Sequence, residues 1–454
     1  MPLRKATNAK KVANSHLDWV RGGMLKDFYV EDALRSPEGS EVELLGWVRN
    51  KRVHGGLIFI DLRDRTGIIQ VAVKKGQVPE ECFQAADELK QESAIKVRGL
   101  VRRDPRAPNG VEIQCKSLEV IGQSIDDFPI KKGVKVKFIL DNRHLHIRSP
   151  RVAAIMKIRA ALLSAARKWF QEHGFVEIHC PSFITAAVEG GATLFKVDYF
   201  GREVYLTQSS QFYQEAAIYS LEKVYSIQPS FRAELSRTRR HLTEFWHLEA
   251  EIAYAELEDL LKIIEELFYS MVLGVYESAQ KELELLNVKI DPEIAKPPYP
   301  RIKYSEALEI LRKKGFQIEW GDDFGADEER ELSKEFEKPF FVTHWPKEAK
   351  AFYHMPDPSN PSVCRNADLL TPGGFGEVVG GGQRIHDYNQ LMERIREEGL
   401  NPDDYKWYLD LRRFGSVPHS GFGLGVERML WWLLKLEHIR DACLFPRTPA
   451  RVYP

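Results

Sequence analysis

The stretch "FRAELSRTRRHLTEFWHLEAEIAY", residues 231–254, crowds arginine, histidine and glutamate into a segment where Phe, Leu, Trp, Ile and Tyr recur as in a buried element. Arg232 and Glu234 are two apart, so on a strand their side chains share one face. The polar run Leu235 to Arg239 reads as a loop, after which Arg240, His241 and Leu242 bring the chain back. Such a hairpin gathers arginines and a histidine around one anionic object, and Phe245 offers a ring on which a base can stack. Guanidinium forks suit a polyphosphate better than lysines do. Taken alone, the same pattern also fits a solvated hairpin laced with ion pairs.

Two further segments narrow the choice. In "GFGLGVERMLWWLL" (421–434) a glycine-rich strand runs directly into a helix, with Arg428 in its first turn. A cation sits poorly at a helix N-terminus, so a nearby anion would relieve it. In "NADLLTPGGFGEVVGGGQRIHD" (366–387), Asp368 and Glu377 flank the turn at Pro372-Gly373-Gly374. A hairpin there brings the two carboxylates together, a small oxygen set that suits Mg²⁺ completed by phosphates and water. Neither a phosphate loop of the GxxxxGK type nor a GxGxxG fingerprint is present to supply a nucleotide site by another route.

At 454 residues the chain exceeds what one core serves. Residues 41–75, "EVELLGWVRNKRVHGGLIFIDLRDRTGIIQVAVKK", alternate apolar and polar positions between Gly55-Gly56 and Asp64 to Gly67, as successive antiparallel strands do. A short helix near 79–91 and the strands "SAIKVRGLVRRD" and "GVEIQCKSLEVIG" complete a five-stranded oligonucleotide-binding barrel. The expected divisions are an N-terminal extension 1–38, a barrel 39–123, a polar and basic connection 124–148, and an α+β domain 149–454 with a largely antiparallel sheet. The extension starts with Arg4, Lys5, Lys10 and Lys11 and reads as disordered. A helix opens at Ser149-Pro150 and closes at Gly174, followed by a strand ending at Pro181; 256–283 and 426–437 are further helices.

The net charge of −1 neither demands nor excludes a polyanionic partner, which a local basic face can serve. Five scattered cysteines without a CxxC pair read as reduced thiols. No apolar run approaches the roughly 20 residues of a membrane helix and no secretory signal opens the chain, so the reading places it in the cytoplasm.

Joined in one chain, "GFVEIHCPSF", "FRAE…RHLTEF" and "GLGVER" resemble the three motifs of the class II aminoacyl-tRNA synthetases. The likeness extends through "VEGGATLF", "LTQSSQFYQE", "GEVVGGGQRIHD" and "IRDACLFPRTPARVYP", and covers about residues 40 to 454. It is closest to the subgroup that activates aspartate, asparagine or lysine behind an N-terminal anticodon-binding barrel. The resemblance implies ATP and Mg²⁺, with Arg232 on the α-phosphate and Arg428 and His241 at the γ-phosphate end. Phe245 would stack on adenine, with Glu234, Arg240, Leu242, Glu377 and Gly425 completing the nucleotide site and Arg232 and Arg428 as the catalytic pair. Asp368 and Glu377 would bind the metal. Glu189, Ser209 and Gln211 would meet the amino acid's ammonium, and Arg384 its side-chain oxygen. In the barrel, Phe59 would stack on the middle anticodon base beside Arg52 and Gln70, and two copies would join around Pro181.

Aspartate and asparagine are near isosteres that differ by a charge. Aspartate enzymes of this family carry a lysine where this sequence has Gln214, and the archaeal type has a serine where this sequence has Gly380. Both departures favour asparagine and tRNA(Asn), with Glu234 as the expected acceptor for the amide NH₂. The alternatives are an aspartyl enzyme, including one that charges both tRNAs, a paralogue that makes asparagine, and a non-catalytic nucleic-acid-binding chain.

Overall fold

The computed structural model describes residues 26–188, 193–235 and 238–454. The chain forms two compact units, divided between Val134 and Lys135 inside the polar segment 124–148.

In the first unit, β1 (Glu41–His54), β2 (Leu57–Arg63), β3 (Ile68–Lys74), β4 (Ala94–Arg103) and β5 (Val111–Gly122) close a barrel in the order β1-β2-β3-β5-β4. Alternation decides what fills it: Ile58, Ile60 and Leu62 of β2 are wholly buried, whereas Phe59 between them faces outward. The helix Glu80–Glu88 bridges β3 and β4. The expectation of disorder before residue 39 fails for residues 26–38. A helix spans Val30–Arg35, its Val30 and Ala33 are fully buried in the barrel core, and Val30 N donates to Asp64 Oδ2 at 2.8 Å. Two small apolar residues and one carboxylate cap are enough to fix a short, highly charged segment that composition alone marks as loose. The charges of residues 1–25 lie outside the described residues.

The second unit contains β6 (Val176–Glu177), β7 (Phe183–Ile184), β8 (Lys196–Tyr199), β9 (Arg202–Leu206), β10 (Lys223–Phe231), β11 (Glu244–Ala253), β12 (Arg301–Lys303), β13 (Phe340–Thr343), β14 (Pro356–Asp357), β15 (Asn360–Cys364), β16 (Asn366–Thr371), β17 (Gly376–Gln383) and β18 (His419–Gly425). Eight of them make one sheet in the order β12-β13-β16-β17-β18-β11-β10-β6, antiparallel except for its two outermost pairs. Helices Pro150–Glu172 and Leu257–Ser278 cover one face, where Leu248, Ala250 and Ile252 of β11 meet Phe422 and Leu424 of β18. Each such side chain taken fully out of water contributes about 1.5–3 kcal/mol. Ser149 caps the first helix by accepting from Val152 N at 3.3 Å. The strand expected to run to Pro181 is shorter: only Val176 and Glu177 pair, with Val224 and Tyr225, and the chain then turns as Cys180 N donates to Gln228 Oε1 at 3.1 Å. Arg143, within the basic connection, is 3 % exposed and donates to the carbonyls of Leu444 and Cys443 at 2.9 and 2.7 Å.

Candidate active site

Strand periodicity places the chemistry. With Leu248, Ala250 and Ile252 facing the helices, His247, Glu249 and Glu251 of β11 face the other way. Register extends this into two rows across the sheet. One runs Asp368, Gly380, Gly423, Glu249, Ser226; the next runs Asn366, Gly382, Gly421, Glu251, Val224. Glycines occupy the middle of both rows because nothing larger fits: a Cβ at Gly421 would overlap the Glu251 carboxylate, and one at Gly423 would overlap the His247 ring. The result is a trough with carboxylates on its walls, the floor of a cavity of about 470 Å³.

At one end of this cavity Arg384, 3 % exposed, donates from Nε and Nη2 to the two oxygens of Glu251 at 3.1 and 3.2 Å. Its guanidinium also lies 5.3 Å from the Tyr353 ring. Burial pushes the Glu251 carboxyl up, Arg384 opposes this, and the neighbouring Glu215 carboxylate adds to it. Gln214 donates from Nε2 to Ser210 Oγ, Ser226 Oγ and the Glu249 carbonyl at 3.0, 2.9 and 3.2 Å, while its buried Oε1 has no partner among the described residues. Because the Glu249 carbonyl can only accept, the amide is oriented with its acceptor oxygen left over. Ser209 Oγ donates to Glu249, which also accepts from Ser210 N at 2.8 Å. Gln211 Nε2 reaches back to Glu215 Oε1 at 2.9 Å.

At the far wall, Asp368 and Glu377 converge over Gly380. A Cβ there would stand 3.1 Å from Glu377 Oε1 and 3.4 Å from Asp368 Oδ1. Lys350 Nζ holds Asp368 Oδ2 at 2.6 Å and Arg428 Nη1 holds Glu377 Oε2 at 2.8 Å. Burial pushes Asp368 up to about 7 against the pull of Lys350, with Glu377 adding to the rise. Burial would raise Glu377 as well, but Arg428 and Lys350 outweigh it and hold this carboxyl down at about 2. Two carboxylates sharing one space, Asp368 buried and Glu377 partly open to the cavity, are a donor set that a divalent cation relieves, so these residues fit Mg²⁺.

Arg232 lines both this cavity and a smaller one shaped by Phe245, His241, Glu234, Arg428 and Gly425. β10 ends at Phe231, so Arg232 stands just past the strand, with its guanidinium 5.5 Å from the Phe245 ring. His241 accepts or donates at Nδ1 with Thr238 Oγ1 at 2.5 Å, and burial together with Arg428 and Arg240 lowers its pKa to about 4. Arg240 is committed elsewhere: its Nη1 and Nη2 bind Glu329 at 2.6 and 3.0 Å, and Glu329 also accepts from Glu377 N at 2.7 Å. Leu242 is buried against Ile439 and Cys443.

The structure therefore brings Arg232, His241, Phe245, Gly425 and Arg428 together at one end and Ser209, Gln211, Gln214 and Arg384 at the other. Glu234 belongs to the first group, 3.8 Å from His241, and not beside Arg384 as an amide acceptor requires. Three residues past β10 and inside the hairpin loop, it is carried away from the trough; the acceptor next to Arg384 is Glu251. Glu189 lies outside the described residues. Sequence reasoning missed Lys350, Glu329 and Glu251. Glu251 had a visible signal, since "HLEAEIA" alternates carboxylates with core residues along one strand.

On the barrel, Arg52 Nη2 donates to Gln70 Oε1 at 2.9 Å and to Asp61 Oδ1 at 3.1 Å, and its guanidinium lies 5.8 Å from the Phe59 ring. These residues sit on neighbouring strands of one outer face.

A glycine-floored antiparallel sheet with arginines at its nucleotide end and a basic, aromatic barrel is matched by two family models: "tRNA synthetases class II (D, K and N)" over residues 135–449, and "OB-fold nucleic acid binding domain" over 42–121. The chain belongs to the class II tRNA synthetases of the D, K and N group. Within that group it sits with the asparagine–tRNA ligases: the enzyme of Thermococcus kodakarensis is 54% identical over 95% of this chain and 100% of its own length. The crystal structure of the Pyrococcus horikoshii asparaginyl-tRNA synthetase, complexed with asparaginyl-adenylate, superposes with a TM-score of 0.91 at 52% identity, over 95% of this chain and 100% of that one. The aspartyl tRNA synthetase of Entamoeba histolytica shares the fold at a TM-score of 0.81, but at 28% identity over 100% of this chain and 96% of its own. Among the described residues no helix is long and apolar enough to cross a membrane.

Proposed function

We infer that this chain activates asparagine with ATP and transfers it to tRNA(Asn). The observation that carries the reading is the Arg384–Glu251 pair at the closed end of the trough, a donor and an acceptor side by side. A carboxamide presents the complementary couple: its oxygen accepts a hydrogen bond from Arg384 Nη1, which has no protein partner among the described residues, and its NH₂ donates to Glu251. A carboxylate has no hydrogen for Glu251 and meets its charge. A buried acceptor left without a donor is the kind of mismatch that rejects a near isostere strongly.

The chemistry asks for no protein nucleophile. Arg232 holds the α-phosphate at the junction of the two cavities, Phe245 carries the adenine, and His241 and Arg428 meet the terminal phosphates. The substrate carboxylate, its ammonium near Ser209 and Gln211, attacks the α-phosphorus in line and expels pyrophosphate to leave the asparaginyl-adenylate, while these fixed cations stabilise the charge that spreads over the phosphates. Mg²⁺ at Asp368 and Glu377 neutralises polyphosphate charge when bound. The 3′-hydroxyl of the terminal adenosine then attacks the adenylate's carbonyl carbon and takes the acyl group, releasing AMP. Phe59, Arg52 and Gln70 offer the anticodon a stacking ring and two hydrogen-bonding groups. The short edge strand β6, with its Val176 exposed, and the exposed Phe183 of β7 support a second copy docking around Pro181. We place the enzyme in the cytoplasm with its tRNA.

ATP–pyrophosphate exchange with asparagine and aspartate separately, followed by charging of tRNA, tests the reading. Exchange driven by asparagine and not aspartate is expected; preference for aspartate overturns it.

A further inference from the structure

Behind Arg384 and Glu251 lies a second pair that does not line the cavity. Glu215 and Arg412 are both wholly buried in their side chains and bonded through Arg412 Nη2. Glu215 also accepts from Tyr408 OH at 2.8 Å and from Gln211 Nε2 at 2.9 Å, and lies 3.0 Å from His419 Nε2. Arg412 donates from Nε to the Ile385 carbonyl at 2.9 Å, one residue after Arg384, and its guanidinium lies 4.3 Å from the Tyr408 ring. Arg384 N in turn donates to the His419 carbonyl at 2.9 Å.

One oxygen of Glu215, one of Glu251 and a nitrogen of His419 lie within 4.8 Å of one another. Three ligating groups this close resemble a cation site, but guanidinium groups already occupy both carboxylates, so the cluster is a closed set of charges instead. His419 Nδ1 sits 2.7 Å from the Val417 carbonyl, which can only accept, so this nitrogen carries the proton. Burial lowers its pKa, leaving the ring neutral. Burial pushes the Glu251 carboxyl up, but both its oxygens accept from the Arg384 fork, an arrangement that asks for the ionised form. The two guanidinium groups then face two carboxylates, Arg384 on Glu251 and Arg412 on Glu215, where water does not screen them.

We propose that Glu215 and Arg412 are specificity-determining residues acting at a distance: by cancelling one another's charge behind the Arg384–Glu251 pair, they leave the pocket no surplus cation with which to accept a carboxylate-bearing amino acid. Asparagine adds no charge to the balanced set. Aspartate adds one anion, and nothing in the cluster is free to offset it. The inference rests on the asparagine reading of the pocket above. It differs from that reading in locating part of the discrimination in side chains the substrate never contacts.

The test measures pyrophosphate exchange with asparagine and with aspartate on the full-length enzyme. E215Q keeps the shape and the Tyr408 and Gln211 contacts but leaves Arg412 uncompensated; the ratio of aspartate to asparagine kcat/KM is expected to rise by about tenfold or more, with the KM for ATP unchanged. R412K keeps the charge and is expected to retain the wild-type ratio. The double variant E215Q/R412M removes both charges and should return the ratio toward wild type, a reversal that mere loosening of the pocket does not produce. Asparagine and aspartate activities falling together in E215Q, with no change of ratio, overturn the proposal, as does a double variant less discriminating than E215Q. Should E215Q not fold, the neutral double variant against R412K decides, since equal ratios are required of both. A wild-type enzyme that prefers aspartate sinks instead the underlying reading, so the two failures are distinct.

Discussion

The two ends of the trough solve opposite problems. At the amino-acid end both arginines are paired before substrate arrives: Arg384 with Glu251 and Arg412 with Glu215, all 5 % exposed or less. At the nucleotide end Arg232, Phe245 and His241 surround a cavity of only about 40 Å³ and His241 is neutral, so positive charge there is built around space that a phosphate has to claim. Discrimination between near isosteres needs a polar environment that cannot rearrange to suit the wrong ligand, and buried ion pairs provide one at a cost in stability. Binding a polyphosphate needs donors in reach and little more. Rigidity is therefore concentrated where the choice is made.

The largest expected effect comes from breaking the paired end. R384Q leaves Glu251 buried without its cation, a loss of about 3–5 kcal/mol for a broken buried pair, and asparagine-dependent exchange should fall by roughly a hundred- to several-thousand-fold. A melting curve run alongside separates misfolding from lost recognition; an exchange rate within a few-fold of wild type would remove the basis for the contrast. Next in size is R232Q at the other end. Loss of one donor to the developing charge should lower kcat by about 10²–10³, with the KM for asparagine nearly unchanged; a matching rise in that KM would mean the two ends are not separable.

F245A sharpens the comparison further. Stacking of a base on an aromatic ring contributes about 1–3 kcal/mol, so the KM for ATP should rise by roughly five- to a hundredfold while the asparagine-to-aspartate ratio stays put. The smallest effect is one of pH. In the free enzyme His241 has its pKa lowered to about 4, so near neutrality the ring is unprotonated. A bound phosphate raises that pKa, and binding takes up a proton, so ATP should bind more tightly as pH falls from neutrality toward about 5. Calorimetry in buffers of different ionisation enthalpy reads the proton directly, and H241Q should abolish most of the uptake; uptake identical in H241Q assigns the proton to another group.

Much of this site is legible in the chain because its carriers lie in short segments with fixed periods. The strand-to-helix step at Gly425–Val426 and the turn between Asp368 and Glu377 follow from local spacing, whereas at Phe59 alternation sets the ring opposite Ile58 and Ile60 without saying which face is inside. What escapes is whatever depends on two distant segments meeting. Glu251 is 133 residues from Arg384 and Glu215 is 197 from Arg412, so no window of sequence holds either pair. The placement of Glu234 fails for the same reason: its nearness to Arg232 along the chain says nothing about which side of the trough the loop takes. The N-terminal helix was hidden differently, since Val30 and Ala33 are too few to announce a buried face. Lys350 hides in a proline-bounded loop and becomes visible only once Asp368 stands opposite.

Glu329 ties together three segments that are otherwise far apart in sequence, holding Arg240 of the hairpin loop with both oxygens and the Glu377 amide of β17 with one. That amide is consequently a natural reporter. Its hydrogen can exchange with solvent only when the Glu329 contact opens, so its exchange rate measures how often the hairpin loop at Arg240 and strand β17 part company. A nucleotide that clamps the loop should slow this one amide well beyond its neighbours on β17. The occupancy of the site is thus readable from a proton that never touches the ligand.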